Sequence, residues 1–83
     1  MEYYVYVLRS IKDGHRYIGI SSDPDKRLKE HNSGLVFATK GRRPFVKEYL
    51  EKCLDRKQAR KREKYFKSGA GRRFLNNLHK TCP

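Results

Sequence analysis

The sequence predicts an α+β domain: a three-stranded, mostly antiparallel sheet flanked by helices. The order is strand, strand, helix, strand, helix, with a short C-terminal helix. Three observations predict it. Tyr- and Val-rich apolar clusters of strand length fall at residues 3–8, 17–20 and 45–50. The first two flank Asp13-Gly14, a strong hairpin signal. Helix-start chemistry then follows at Ser22-Asp23-Pro24-Asp25 and again at Asp55.

With Asp13 and Gly14 as the turn, Lys12 faces His15. Tyr4, Tyr6, Tyr17 and Gly19 then share one face of the hairpin. The other face collects Tyr3, Val5, Val7, Ile18 and Ile20, a set fit for burial. The first helix carries Pro and an acid in its first turn, runs to about Asn32, and meets a left-handed stop at Gly34. Arg27 and His31, four apart, share a face that Leu28 anchors. Residues 35–43 read as a loop bearing Thr39, Lys40, Gly41, Arg42 and Arg43. Pro44 opens the third strand, in which Phe45, Lys47 and Tyr49 alternate with Val46, Glu48 and Leu50.

Asp55 and Gln58 form a capping box for a second helix that reaches Lys67. Its apolar stripe is Ala59, Phe66 and Ala70, and Glu63 falls on that stripe. Gly69-Ala70-Gly71 predicts a break, with residues 72–79 as a short terminal helix. No repeat or linker divides the chain, so residues 1–83 read as one domain.

Lys and Arg number 21 against 9 Asp and Glu, a net charge of +12. Such a field attracts polyanions, chiefly nucleic acid, although charge alone leaves ribosomal RNA and acidic lipid open. Cys53 and Cys82 lack metal-ligand spacing, and the chain shows no signal peptide. Both fit a reducing cytoplasm, with nucleoid association open. Cys53 reads as a strand-end core residue. No apolar run approaches the ~20 residues of a membrane span.

Phosphodiester hydrolysis needs an oriented water, a cation over the developing phosphorane charge, and help for the leaving alkoxide. Glu63 is the candidate metal ligand, because it alone among the nine acids lies on a predicted buried face. Oxygen coordination favours Mg²⁺ or Mn²⁺. The competing reading is a structural salt bridge between Glu63 and a buried Arg. Arg27 can fork onto a phosphate oxygen, or be an ordinary surface arginine. His31, in register with it, can move a proton. Tyr6 and Tyr17 can accept or relay a proton if a metal and cations depress the phenol pKa, whereas Tyr3, Tyr49 and Tyr65 read as core. Gly19 on the same face suggests a close approach or a bulge.

These residues resemble the GIY-YIG nuclease family, in particular its small stand-alone bacterial members, over residues 2–77. Tyr4-Val5-Tyr6 stands where the family has its first tripeptide, with Tyr in place of Gly, and Tyr17-Ile18-Gly19 is the second one unaltered. The family's helix arginine and histidine match Arg27 and His31, and its metal-binding glutamate matches Glu63. Thr39 and Arg43-Pro44 resemble the stand-alone subgroup. Ile20 stands where the repair branch has lysine, and Asn76 or Asn77 where many members have asparagine.

The resemblance implies hydrolysis of one DNA strand at a single-metal site, leaving 3′-hydroxyl and 5′-phosphate ends. It implies Tyr17 as general base or water-positioning group supported by Tyr6. Arg27 would stabilise the phosphorane, His31 would assist proton movement, and Glu63 would hold the metal. DNA is the expected partner, contacted by Arg42, Arg43, Arg60, Lys61, Lys64, Arg72 and Arg73, with specificity supplied by a protein partner or read from DNA shape. Two other readings stay open: a nucleic-acid-binding module without turnover, and an RNA-directed factor.

Overall fold

Val5, Tyr6, Val7 and Leu8 are buried at 1% exposure or less, so both faces of the strand they form are covered. That strand, β1 (Tyr3–Ser10), lies between β2 (Arg16–Ser21) and β3 (Phe45–Cys53), antiparallel to both. The computed structural model describes the backbone of residues 2–80 and the side chains of residues 2–78; Cys82 lies outside the described residues.

The hairpin keeps the expected faces but not the expected pairing. Tyr6 pairs with Gly19, Leu8 with Tyr17 and Arg9 with Arg16, an even slip from the Lys12–His15 register that leaves every side chain on its own face. The cause is Ser10. Its hydroxyl accepts from the amides of Lys12 (3.1 Å) and Asp13 (3.3 Å), which winds the wider loop, and Gly14 closes it at φ 76°.

One face, with Tyr6, Leu8 and Tyr17, packs with Phe45 against Leu28 of α1 (Pro24–Ser33). The other, with Val5, Val7, Ile18 and Ile20, packs on Ala59 and Phe66 of α2 (Arg56–Phe66) and Leu75 of α3 (Gly69–Lys80). Cys53 is buried in that second core, as a strand-end residue should be.

A bulge overturns the alternation expected for β3. Tyr49 pairs with Val7 but Lys47 pairs with Leu8, so Glu48 is the extra residue. Phe45 therefore joins the α1 side, while Tyr49 stacks on Phe66 and Phe74 in the opposite core, at 5.4 and 5.6 Å. The bulged Glu48 carboxylate, 2% exposed, accepts two bonds from the Arg16 guanidinium at 2.8 and 3.0 Å.

Asp23 caps α1 by accepting from the Lys26 amide, and Gly34 ends the helix at φ 88°. Asn32 then ties α1 to β3. Its amide accepts from Phe45 N (2.6 Å) and donates to Phe45 O (3.0 Å), as a neighbouring strand would. The predicted loop contains a 3-10 helix, Phe37–Arg42, and the Arg43–Pro44 peptide after it is cis.

Asp55 caps α2 through the Gln58 amide (2.8 Å), and the Gln58 side chain accepts from Leu54 N (2.8 Å). The predicted break at Gly69-Ala70-Gly71 is corrected: the helix stops at Phe66, and α3 begins at Gly69. Ser68 makes the joint, its hydroxyl accepting from Gly71 N at 3.3 Å. Gly71 is needed for contact rather than for a break. A Cβ there would strike the Tyr65 carbonyl oxygen and lie 2.5 Å from Phe66 Cα. Ala70 is exposed on α3, so the apolar stripe of α2 does not extend to it.

Candidate active site

Four of the five expected residues meet on the α1 face of the sheet. Tyr6 comes from the centre of β1, Tyr17 from β2, and Arg27 and His31 from successive turns of α1. The Tyr6 and Tyr17 rings are 6.3 Å apart, and His31 lies 6.1 Å from Tyr6 and 4.7 Å from Tyr17, centroid to centroid. His31 Nε2 is 3.4 Å from Tyr6 Oη.

Gly19 makes this packing possible. A Cβ at that position would lie 2.5 Å from Tyr6 Oη and 2.7 Å from its Cζ, so the phenol rests directly on bare backbone. The close approach expected at Gly19 is thus made by the protein's own tyrosine.

His31 is fully buried, and its imidazole is gripped from the other side by Thr39 of the 3-10 helix, Nδ1 to Oγ1, at 2.7 Å. Phe45 packs at 6.2 Å. Burial, aided by the neighbouring Arg27 charge, lowers the His31 pKa below its ordinary value, with Glu30 opposing. The imidazole is therefore neutral at pH 7. Burial likewise raises the Tyr6 phenol, with the Tyr17 and Glu63 charges acting in the same direction and Arg27 opposing them. Without a metal, desolvation outweighs Arg27, and Tyr6 stays protonated at neutral pH. Arg27 faces Tyr6 and is held by Glu30 at 2.6 Å.

Glu63 lies in the opposite layer. It sits on the inner face of α2 between Ala59 and Phe66, its side chain 14% exposed, and its charge is felt at the Tyr6 phenol. Two cations attend it, Lys67 at 3.2 Å and Arg60 at 3.9 Å. The arginine-clamped acids are others: Glu48 with Arg16, and Glu51 with Arg62 at 2.6 and 3.0 Å. Among the described residues no three His, Cys, Asp or Glu side chains stand together as a metal cage. One partly exposed carboxylate fits a hard divalent cation that keeps most of its water, not a closed multi-ligand site.

The expected nucleic-acid contacts fall into separate groups. Arg42, the last residue of the 3-10 helix, pairs with Asp13 at 2.5 Å, and Arg43 just after it donates to Lys40 O at 2.9 Å. Arg60, Lys61 and Lys64 are exposed on α2, and Arg72 and Arg73 on α3. A hollow of about 430 Å³ on this second side is lined by His15, Arg16, Lys67 and Arg72, away from the paired phenols. Among the described residues no helix is long and apolar enough to cross a membrane.

Thr39, Glu30 and Phe45 complete the site, and no residue spacing announced their roles. Thr39 is polar, lies in a segment without hydrophobic period, and becomes a partner of His31 only because the 3-10 helix folds back on α1.

Comparison with known proteins bears on the family and the fold. Residues 2–76 match the GIY-YIG catalytic domain. A UPF0213 protein of Desulfotalea psychrophila is 41% identical over 74% of this chain, which spans 56% of that relative's length. One of Enterococcus faecalis is 40% identical over 78% of the chain and 76% of its own length. The solution NMR structure of the UPF0213 protein from Bacillus halodurans superposes with a TM-score of 0.56 at 34% identity, covering 94% of this chain and 85% of that one. The α+β sheet order, the two tyrosine tripeptides and a profile match over nearly the whole chain lead to one conclusion: this protein belongs to the GIY-YIG family, whose catalytic domain implies nuclease activity in general and generally works with a divalent metal.

Proposed function

We propose that the chain is a metal-dependent DNA endonuclease of low sequence specificity, selective for DNA structure in repair or processing. The observation that carries the reading is the convergence of Tyr6, Tyr17, Arg27 and His31 on one face, with Glu63 partly buried on the inner face of α2. The basic surface supports DNA as the substrate through phosphate contacts that are largely blind to sequence.

In hydrolysis a water oxygen bonds to phosphorus and the P–O3′ bond breaks; the departing O3′ takes a proton from solvent, leaving a 3′-hydroxyl and a 5′-phosphate. Tyr17, the more exposed phenol, orients the water. Tyr6, protonated and against His31, receives the water's proton as it passes its own to the imidazole. Arg27 acts on the Tyr6 phenol, and from there it neutralises charge on the nonbridging oxygens. Glu63 would hold Mg²⁺ or Mn²⁺, which supplies Lewis-acid stabilisation of the phosphorane and of the departing O3′.

The test incubates branched, flapped and plain duplex DNA with Mg²⁺ or Mn²⁺ and compares wild type with Glu63→Ala and Tyr17→Phe. Loss of cutting in both supports the reading; cutting that survives both sinks it. A second reading has its own support, since Lys67 already occupies one side of the Glu63 carboxylate at 3.2 Å and a metal must displace or share it. In a binding module without turnover, Glu63→Ala binds DNA as wild type does and no substrate is cut.

A further inference from the structure

Every hydrogen around Tyr6 and His31 has to be placed, because both side chains are at 1% exposure or less. Tyr6 Oη faces the Arg27 guanidinium, a pure donor, and His31 Nε2 at 3.4 Å. His31 Nδ1 faces Thr39 Oγ1 at 2.7 Å, and the Thr39 hydroxyl also faces Val36 O at 3.4 Å. Two assignments compete. With the proton on Nε2, Tyr6 Oη would receive from His31, and its own hydrogen would have no acceptor among the described residues. With the proton on Nδ1, Thr39 accepts it and donates to the Val36 carbonyl. The Nε2 lone pair then receives the Tyr6 hydroxyl, and no hydrogen is stranded.

We propose that Thr39 is a positioning residue that fixes His31 as its Nδ1–H tautomer, so that Nε2 is the acceptor for the Tyr6 hydroxyl proton. The catalytic part rests on the hydrolase reading above; the tautomer does not. The 3-10 helix Phe37–Arg42 thereby acquires a task, since it carries a 2%-exposed hydroxyl to the far side of the imidazole. Such a partner fixes both ring orientation and ring basicity.

The experiment reads the His31 ring nitrogens by long-range ¹H–¹⁵N correlation at pH 8, in wild type, Thr39→Ser and Thr39→Val. Wild type and Thr39→Ser are expected to show pyrrole-type Nδ1 and pyridine-type Nε2. Thr39→Val, of equal shape but unable to accept, is expected to move toward the Nε2–H form. In parallel, Thr39→Val should cut DNA about 10- to 100-fold more slowly, with Thr39→Ser restoring most of the rate. A wild-type Nε2–H tautomer overturns the proposal, as does a folded Thr39→Val that keeps the Nδ1–H form. If Thr39→Val does not fold, the wild-type and Thr39→Ser spectra decide. If no variant cuts DNA, the hydrolase reading fails while the tautomer still stands or falls on the spectra.

Discussion

Replacing Gly19 by Ala asks how tightly the two tripeptides lock together. The new Cβ would sit 2.5 Å from Tyr6 Oη, 2.7 Å from Cζ and 3.2 Å from Cε2. Relief requires the Tyr6 hydroxyl to retreat by about 1 Å, and the ring is 1% exposed with His31 and Tyr17 against it. Overpacking of this kind costs about 1–3 kcal/mol. The loss of unfolded-chain freedom on Gly→Ala returns about 0.4–1 kcal/mol, because Gly19 has no positive φ to forfeit. The net expectation is a destabilisation of about 1 kcal/mol. A displacement of about 1 Å in a catalytic group can also lower the rate by about 10²-fold. Urea denaturation measures the first quantity and DNA cleavage the second. A Tyr6→Leu background removes all three clashing atoms, so there the cost of Gly19→Ala should vanish. An equal cost in both backgrounds, or a Gly19→Ala protein that matches wild type in stability and rate, would refute the reasoning.

Other perturbations probe separate parts of the fold. Gly71→Ala meets backbone rather than a movable side chain, so thermal melting should show a loss of about 3 kcal/mol or failure to fold; a wild-type Tm would contradict the α2–α3 packing. Glu51 is held below its ordinary pKa, first by its bonds from Arg62, with Tyr49 also donating. A depressed carboxylate contributes stability that is full above its unfolded pKa of about 4.3 and fades as pH falls through the lower folded value. Melts from pH 6 to 2 should therefore fall less steeply in Glu51→Gln, and parallel curves would count against it. Lys61→Gln and Lys64→Gln should each lower the slope of log K against log salt for duplex binding by about 1, or leave it unchanged if the DNA lies elsewhere.

The sequence carried the hairpin, both helix caps and the faces of β1 and β2, because each depends on neighbours within a turn or a period. Asp13-Gly14, Asp23-Pro24 and Asp55 with Gln58 are local devices of this kind. What it did not carry depends on partners far along the chain. The Glu48 bulge, which sends Phe45 and Tyr49 to opposite cores, answers the Arg16 guanidinium across 32 residues. Ser10 widened the turn by a side-chain bond that competes with the two-residue hairpin. Gly69 and Gly71 looked like a break because their helix propensity is low, yet Ser68 caps the helix that contains them. At the site, the polar residues were legible as a set, but the state of the Tyr6 phenol was not. Only its burial reveals that desolvation overrides Arg27.

The most direct measurement on the proposed centre is Mn²⁺-induced paramagnetic broadening in the NMR spectrum. If Glu63 anchors the cation beside the phenols, signals of Glu63, Gly19, Tyr6 and Tyr17 should broaden at the lowest Mn²⁺ concentrations, and Glu63→Ala should abolish the effect. Broadening centred elsewhere, such as at Asp23 and Asp25, or the same pattern in Glu63→Ala, would contradict a shared metal and tyrosine centre.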